Sequence, residues 1–208
     1  MKKNIYSEEK ANSVKTIIVN DFQTIEDGNF GKIFDEYLQD KRTISFIDYY
    51  NSIVLDRKKI EFGTFKSKWA IQGMKKKVYS YFDNNYNDII NEIIKVKNID
   101  SFYKNYCCKE RDEAIFCCKL FHVILPNEFP LVDNNILKHF KLSLIYKITS
   151  YKIMKQGYEL FINENKDILD KIKKILSLEK YKYIRINELS NFRIIDMIYW
   201  YLLNRKRK

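Results

Sequence analysis

Asp133 is the residue whose type and place most clearly suggest chemistry. It follows a connection, residues 126–130, that begins and ends with proline, and a helical pattern begins just after it at Ile136. Asp133 is therefore predicted to be the N-cap of that helix, where its carboxylate accepts free backbone N–H groups. A carboxylate held this way has a fixed position and stays ionised, so a second, catalytic role is open to it.

Lys119 and His122 are the two other candidate catalytic residues. They lie on a predicted helix from Asp112 to Leu125 that is apolar nearly all round, and such a helix is buried. A buried lysine needs a partner or a wet cleft. Lys119 is either a second catalytic group or a side chain that reaches solvent from the helix edge. His122 is either a catalytic base or a core histidine with satisfied hydrogen bonds.

The elements that position these residues are predicted to be helices throughout. The chain has 208 residues, 46% of them hydrophobic, with only five glycines and two prolines, and long stretches repeat with the helical period. These features predict one all-α domain over residues 1–204, as a single body or as two lobes (about 1–105 and 106–204), followed by a basic tail over 205–208.

Three local patterns extend this prediction. One continuous helix is expected from Thr64 to about Phe82, with a lysine face that either binds phosphate or is solvated. Gly157 is expected to kink the helix that contains it. The alternating residues 181–186 indicate a short strand or an extended segment.

The segment around Asp133 resembles the helix-hairpin-helix DNA glycosylases. Residues 129–136 read Phe-Pro-Leu-Val-Asp-Asn-Asn-Ile. The similar family segment reads Pro-Val-Asp, then Thr or Ser, then His or Asn, then Val. The resemblance, closest to the 8-oxoguanine glycosylase type, covers the predicted buried helix, the proline-bounded loop and Asp133. It implies that Asp133 stabilises the positive charge that develops at the sugar C1′, and that Lys119 acts if the enzyme is a lyase.

The chain departs from the family at two places. The family has a glycine-rich hairpin before the buried helix, whereas residues 106–111 here read Tyr-Cys-Cys-Lys-Glu-Arg. The position of the lysine nucleophile in the bifunctional members falls on Ala114. The resemblance implies base excision from DNA in repair or in defence against phages with modified DNA, and the sequence does not separate these roles.

The charge is concentrated in the half of the chain that contains Asp133. The net charge is +11, and residues 104–208 have 21 Lys and Arg against 12 Asp and Glu. A concentrated basic field attracts polyanions and predicts DNA as the partner. A solvated basic surface is the alternative. The candidate nucleic-acid-binding residues are Lys109, Asn134, Asn135, Lys138, His139 and Arg193.

The last helix offers a different function. Arg193, Asp196 and Trp200 share one face, which predicts either an accessible Arg–Asp pair beside an indole or an internal salt bridge, with Trp200 mostly buried. The rival to an enzyme is thus a non-catalytic helical module that binds nucleic acid or binds a protein partner through this helix.

Several classes of protein are not expected. No apolar run is long enough to span a membrane, and the first residues do not form a signal peptide, which predicts a cytoplasmic protein. The four cysteines occur as two adjacent pairs, Cys107–Cys108 and Cys117–Cys118. Neighbouring helical residues point about 100° apart, so adjacent cysteines cannot easily face one metal ion, and no metal and no cofactor are predicted. A cytosolic chain keeps its thiols reduced, which predicts free thiols.

Overall fold

The computed structural model describes residues 2–26, 30–71, 74–108 and 113–205, with side chains over 7–25, 30–71, 74–108 and 113–203. Within these ranges the chain is helical and contains no strand, which confirms the all-α prediction. No helix in the described part of the chain has the length and apolar character needed to cross a membrane.

Twelve α-helices run through the described residues. They are α1 (Lys2–Glu26), α2 (Phe30–Tyr37), α3 (Lys41–Tyr50), α4 (Phe62–Lys68), α5 (Lys76–Asn84), α6 (Tyr86–Val96), α7 (Ile99–Phe102), α8 (Ala114–Ile124), α9 (Asn134–His139), α10 (Lys147–Glu164), α11 (Lys166–Leu176) and α12 (Asn191–Arg205). A π-helical turn extends α3 (Asn51–Leu55) and another extends α7 (Tyr103–Cys107). Two 3₁₀ turns, Glu179–Ile184 and Ile186–Glu188, connect α11 to α12.

One continuous hydrophobic core joins both halves of the chain, from α1 to α12. Helix α8 lies inside it: nine of its eleven residues are buried, including the polar Lys119 and His122. The predicted burial of this helix is confirmed, although the structure begins it at Ala114. Whether the core divides into lobes stays a prediction.

Helices α1 and α10 form the most extensive helix pair of the fold. Gly157 makes their close approach possible, because a Cβ at this position would lie 2.6 Å from the Cβ of Val14 and 2.8 Å from the carbonyl oxygen of Ala11. Gly157 does not interrupt α10, which continues to Glu164, and the predicted kink stays a prediction. The absence of a side chain at Gly157 lets α1 approach α10 closely.

The predicted helix from Thr64 to Phe82 is two helices. Helix α4 begins after Glu61 and ends before Trp69, and Ala70 follows with a left-handed backbone (φ 49°). The ring of Trp69 stacks on Phe65 at 5.2 Å and meets Phe46 edge-on at 5.0 Å. This buried aromatic packing favours the turn over continuation of the helix.

The alternating segment 181–186 is not a strand. It forms part of the 3₁₀ turns, and Tyr181 and Ile184 are both 1% exposed. Residues three apart lie on the same side of a 3₁₀-helix, so this conformation buries both side chains against the core, which a strand would not do.

Trp200 is also placed differently from the prediction. Its side chain is 37% exposed and meets the ring of Tyr37 edge-on at 5.2 Å. Other residues of α12, such as Arg193 and Tyr199, occupy its buried faces, so Trp200 lies at the edge of the hydrophobic core. Residues 206–208 of the predicted basic tail lie outside the described residues, while Arg205 ends α12.

Replacing Gly157 with alanine tests the α1–α10 approach. We expect Gly157→Ala to lower the free energy of unfolding by roughly 2 kcal/mol, because the added Cβ overlaps Val14 and overpacking outweighs the better helix propensity of alanine. Chemical denaturation measures the change. Gly63→Ala is the control: the nearest side-chain atom to its new Cβ, in Tyr79, would be 3.9 Å away. Equal stability of the two variants would contradict the expectation.

Candidate functional site

Asp133 is the N-cap of α9, as the sequence predicts. Its backbone is extended (φ −137°, ψ 177°), and its Oδ1 accepts hydrogen bonds from the N–H groups of Asn135 at 2.7 Å and Ile136 at 2.9 Å. Both bonds end on Oδ1, so Oδ2 accepts no hydrogen bond from the described residues. Asp133 is partly exposed. The carboxylate therefore has a fixed position and one oxygen available to a ligand.

Two buried side chains hold the loop that leads to Asp133. His122 Nδ1 bonds the carbonyl oxygen of Phe129 at 2.7 Å, and the hydroxyl of Tyr151 donates to the carbonyl oxygen of Pro130 at 2.9 Å. Loop carbonyls buried without such donors would cost stability. The position of Asp133 is thus set by α8 and α10 as well as by its own helix.

Lys119 lies inside the protein, and its amine senses the charge of this carboxylate. Its side chain is 9% exposed, and Nζ donates to the carbonyl oxygen of Trp69 at 2.8 Å, so it does not reach solvent from the helix edge. Burial lowers the pKa of Lys119, while the charges of Asp133 and Asp196 act in the opposite direction. Lys119, Asp133 and Asp196 therefore form one electrostatic group.

His122 is a core histidine with both ring nitrogens satisfied. Because the carbonyl of Phe129 can only accept, Nδ1 carries the proton, and Nε2 accepts from the hydroxyl of Tyr50 at 2.9 Å. Burial lowers the pKa of His122 to about 3. The only lone pair on the ring is bonded to Tyr50 and the ring is fully buried, which favours the core histidine over the catalytic base.

Arg193 and Asp196 form an ion pair in the interior, each 2% exposed. The guanidinium of Arg193 lies over the ring of Tyr50, 4.5 Å from its centroid, and 5.4 Å from that of Phe46. Burial raises the pKa of Asp196 to about 6 against the opposing effect of Arg193. The guanidinium of Arg193 is buried and paired, which does not favour a contact with nucleic acid. That predicted contact stays a prediction. Of the two arrangements predicted for Arg193 and Asp196, the structure shows the internal salt bridge.

The other predicted nucleic-acid contacts lie on or near α9. Asn134 and Lys138 are exposed, and Asn135 is partly exposed. His139 is also partly exposed and pairs through Nε2 with Asp21 of α1 at 2.7 Å. Lys109 lies outside the described residues. Four of the six predicted contacts therefore lie on α9, two of them exposed and two partly exposed.

Three participants in the site carry no recognisable sequence signal. The carbonyl of Trp69 holds Lys119, the hydroxyl of Tyr50 holds His122, and Asp21 accepts from both His139 and the hydroxyl of Tyr199 at 2.9 Å. Backbone acceptors cannot be read from side-chain types, and Tyr50 and Asp21 are far in sequence from the residues that they contact. Their pairing arises from tertiary packing alone.

Metal ligation has no candidate group in the described ranges: no three His, Cys, Asp or Glu side chains there are placed to hold an ion. All four cysteines lie within the described ranges, and none of them forms a disulfide there. Burial, and then the neighbouring Cys107, raise the pKa of the Cys117 thiol, so it stays protonated at neutral pH.

The arrangement supports electrostatic chemistry. A carboxylate in a fixed position, with one oxygen that no described residue bonds, can stabilise a positive charge that develops next to it. Preorganised groups of this kind need little reorganisation during the reaction. The buried amine of Lys119 is a second ionisable group, and its protonation depends on how much water reaches it.

Comparison with known proteins adds no family to this description. No protein-family model, no curated protein and no solved structure matches the chain. The glycosylase resemblance therefore rests on the residues around Asp133.

The burial of neutral His122 predicts a specific pH dependence of stability. The folded-state pKa of about 3 is below the ordinary 6.5, so the contribution is complete above pH 6.5 and is lost as the pH falls toward 3. We expect the stability advantage of the wild type over His122→Gln to shrink by about 1.4 kcal/mol per pH unit between pH 6 and 4. Urea unfolding of both proteins at each pH measures it. An advantage that stays constant with pH would contradict a buried neutral imidazole.

Proposed function

We propose that this protein binds DNA and hydrolytically removes a modified or damaged base, with Asp133 as its catalytic residue. The observation that carries the proposal is the carboxylate of Asp133: fixed through Oδ1 by two backbone N–H groups, partly exposed, and unbonded at Oδ2 among the described residues. The resemblance of residues 129–136 to the glycosylase segment supports the same role. The cytoplasmic location expected from the sequence belongs to this proposal.

The proposed reaction breaks the bond between a base and the sugar C1′. The bonding electron pair leaves with the base, and positive charge develops on the sugar ring, where Asp133 stabilises it electrostatically. A water oxygen then bonds to C1′, and a proton from that water neutralises the departed base. The base must first leave the duplex stack, because C1′ and the base are not accessible to a protein carboxylate inside the duplex.

Lys119 is proposed as a positioning residue for this chemistry. A lysine nucleophile must reach the sugar with an unprotonated amine, whereas the amine of Lys119 is buried and bonded to the carbonyl of Trp69 at 2.8 Å. The observed contacts favour an electrostatic effect of Lys119 on Asp133 over covalent attack. This favours hydrolysis without a lyase step.

A second candidate function is supported by one observation at the last helix. The indole of Trp200 is 37% exposed beside Tyr37, and exposed tryptophan is enriched at protein interfaces. A non-catalytic module would use this surface for a protein partner, with Asp133 only as a helix cap. The two candidates differ in whether Asp133 is needed for anything except folding.

DNA binding is expected to depend steeply on salt. Residues 104–208 carry the excess of 21 basic over 12 acidic side chains, and each phosphate that they neutralise releases counterions. We expect affinity for a duplex to fall by at least about tenfold between 50 and 200 mM salt. Fluorescence polarisation with a labelled duplex measures it. Salt-independent affinity, or no binding at low salt, would remove DNA as the partner.

Asp133→Asn separates catalysis from capping. Asparagine caps helices about as well as aspartate, so the free energy of unfolding should change by less than about 1 kcal/mol. Asparagine lacks the negative charge, so base release should fall at least about a hundredfold. Incubation with duplexes that carry a panel of modified bases, scored for abasic sites, measures the activity.

Asp40→Asn is the matched control for this variant. Asp40 is the N-cap of α3 and accepts from the N–H groups of Arg42 and Thr43, so the same substitution there tests capping alone. Base release should be unchanged in Asp40→Asn. If the wild type releases a base and Asp133→Asn releases it at the same rate, Asp133 is a cap and the proposed catalytic role is wrong.

A further inference from the structure

The loop between α9 and α10 exposes two large apolar side chains to solvent. Ile145 is 81% exposed and Tyr146 is 70% exposed, more than any other large hydrophobic side chain in the described part of the chain. Together they form the tip of this loop, and we refer to Ile145 and Tyr146 as the apolar tip. Adjacent exposed residues of this size are unfavourable in water unless something covers them.

The apolar tip is held in place by hydrogen bonds. Ser143 Oγ accepts from the N–H groups of Ile145 at 3.2 Å and Tyr146 at 3.3 Å, and the hydroxyl of Ser150 donates to the carbonyl of Ser143 at 2.8 Å. The N–H of Leu142, a buried residue, donates to the carbonyl of Leu137 at 2.9 Å. The exposure of the tip is thus a feature of an ordered loop.

The sequence that flanks the apolar tip is positively charged. Residues 134–158 contain five lysines and no aspartate or glutamate. Of these lysines, Lys138 and Lys141 are exposed and make no ion pair within the described residues, while Lys152 and Lys155 pair with Asp100 and Glu159. Tyr146 is also the N-cap of the 18-residue α10, so the positive end of that helix lies at the tip.

We propose that the apolar tip stacks against an unpaired base of a nucleic acid while Lys138 and Lys141 contact the adjacent phosphates. An aromatic ring with neighbouring lysines matches single-stranded nucleic acid, in which every base offers a π-face and every linkage a negative charge. The inference rests on the proposed function only in taking DNA as the ligand. In sequence, the tip follows Asp133 after α9 and the five residues 140–144.

A lipid surface is the less favoured ligand. Binding of a protein to a membrane interface strengthens with the apolar area that it buries, and the tip offers two side chains. The phenol of Tyr146 together with two unpaired lysines fits the alternation of base and phosphate along a single strand more closely.

Affinity measurements on full-length variants test the proposal. For a labelled single-stranded DNA of mixed sequence, we expect Tyr146→Ala to weaken binding about tenfold with an unchanged salt dependence, and Tyr146→Phe to bind as the wild type does. Lys138→Gln with Lys141→Gln should instead reduce the dependence of log affinity on log salt by about 1.4. Tyr81→Ala is the control, since Tyr81 is a 48% exposed tyrosine on α5.

A strand of abasic sites provides the second readout. It keeps the phosphates and lacks the bases, so wild type and Tyr146→Ala should bind it equally. If wild type binds DNA and Tyr146→Ala matches it on the base-containing strand, the tip is not a stacking platform, while the role of Asp133 is unaffected. Tighter binding of wild type to anionic lipid vesicles than to DNA, lost in Tyr146→Ala, would also overturn the proposal. Absence of DNA binding by the wild type would overturn this inference and the proposed function together.

Discussion

The buried ion pair between Arg193 and Asp196 constrains how the helices around the candidate site can assemble. Moving two charges out of water is costly, and their attraction offsets that cost only when geometry and surrounding hydrogen bonds are good. Here the guanidinium lies over two aromatic rings of α3. Its charge also acts on Tyr37 of α2, and burial raises the pKa of that phenol to about 12. Helix α12 can therefore dock in one place, where α2 and α3 supply this environment.

The charge of Arg193 also acts on the buried imidazole of His122. Burial, followed by the positive charge of Arg193, opposes protonation of His122, so the imidazole stays neutral and bridges the hydroxyl of Tyr50 to the carbonyl of Phe129. Through that carbonyl the network reaches the loop that positions Asp133. The carboxylate that we propose for catalysis is thus held by a chain of contacts that begins on the last helix.

Much of this arrangement could be predicted from the sequence, for identifiable reasons. Helical periodicity and the scarcity of glycine and proline revealed the all-α class, and an aspartate after a proline-bounded loop revealed the cap at Asp133. What the sequence could not reveal depends on tertiary packing: the turn at Trp69, the 3₁₀ turns at residues 179–188, and the exposure of Trp200. The burial of Arg193 was open between two interpretations, because a charged pair on a helix has the same spacing at a surface and in a core.

The pairing of α1 with α10 has a consequence for synthesis on the ribosome. The apolar face of α1 is covered by residues 147–164, which follow the end of α1 by about 120 residues of chain. At a translation rate of roughly 5–20 residues per second, that face stays uncovered for about 6–24 seconds. During this interval the nascent chain presents side chains such as Val14, Ile18 and Phe22, all 0% exposed in the folded protein, to chaperones or to other chains. The apolar face of the first helix is therefore covered only late in synthesis, when the tenth helix becomes available.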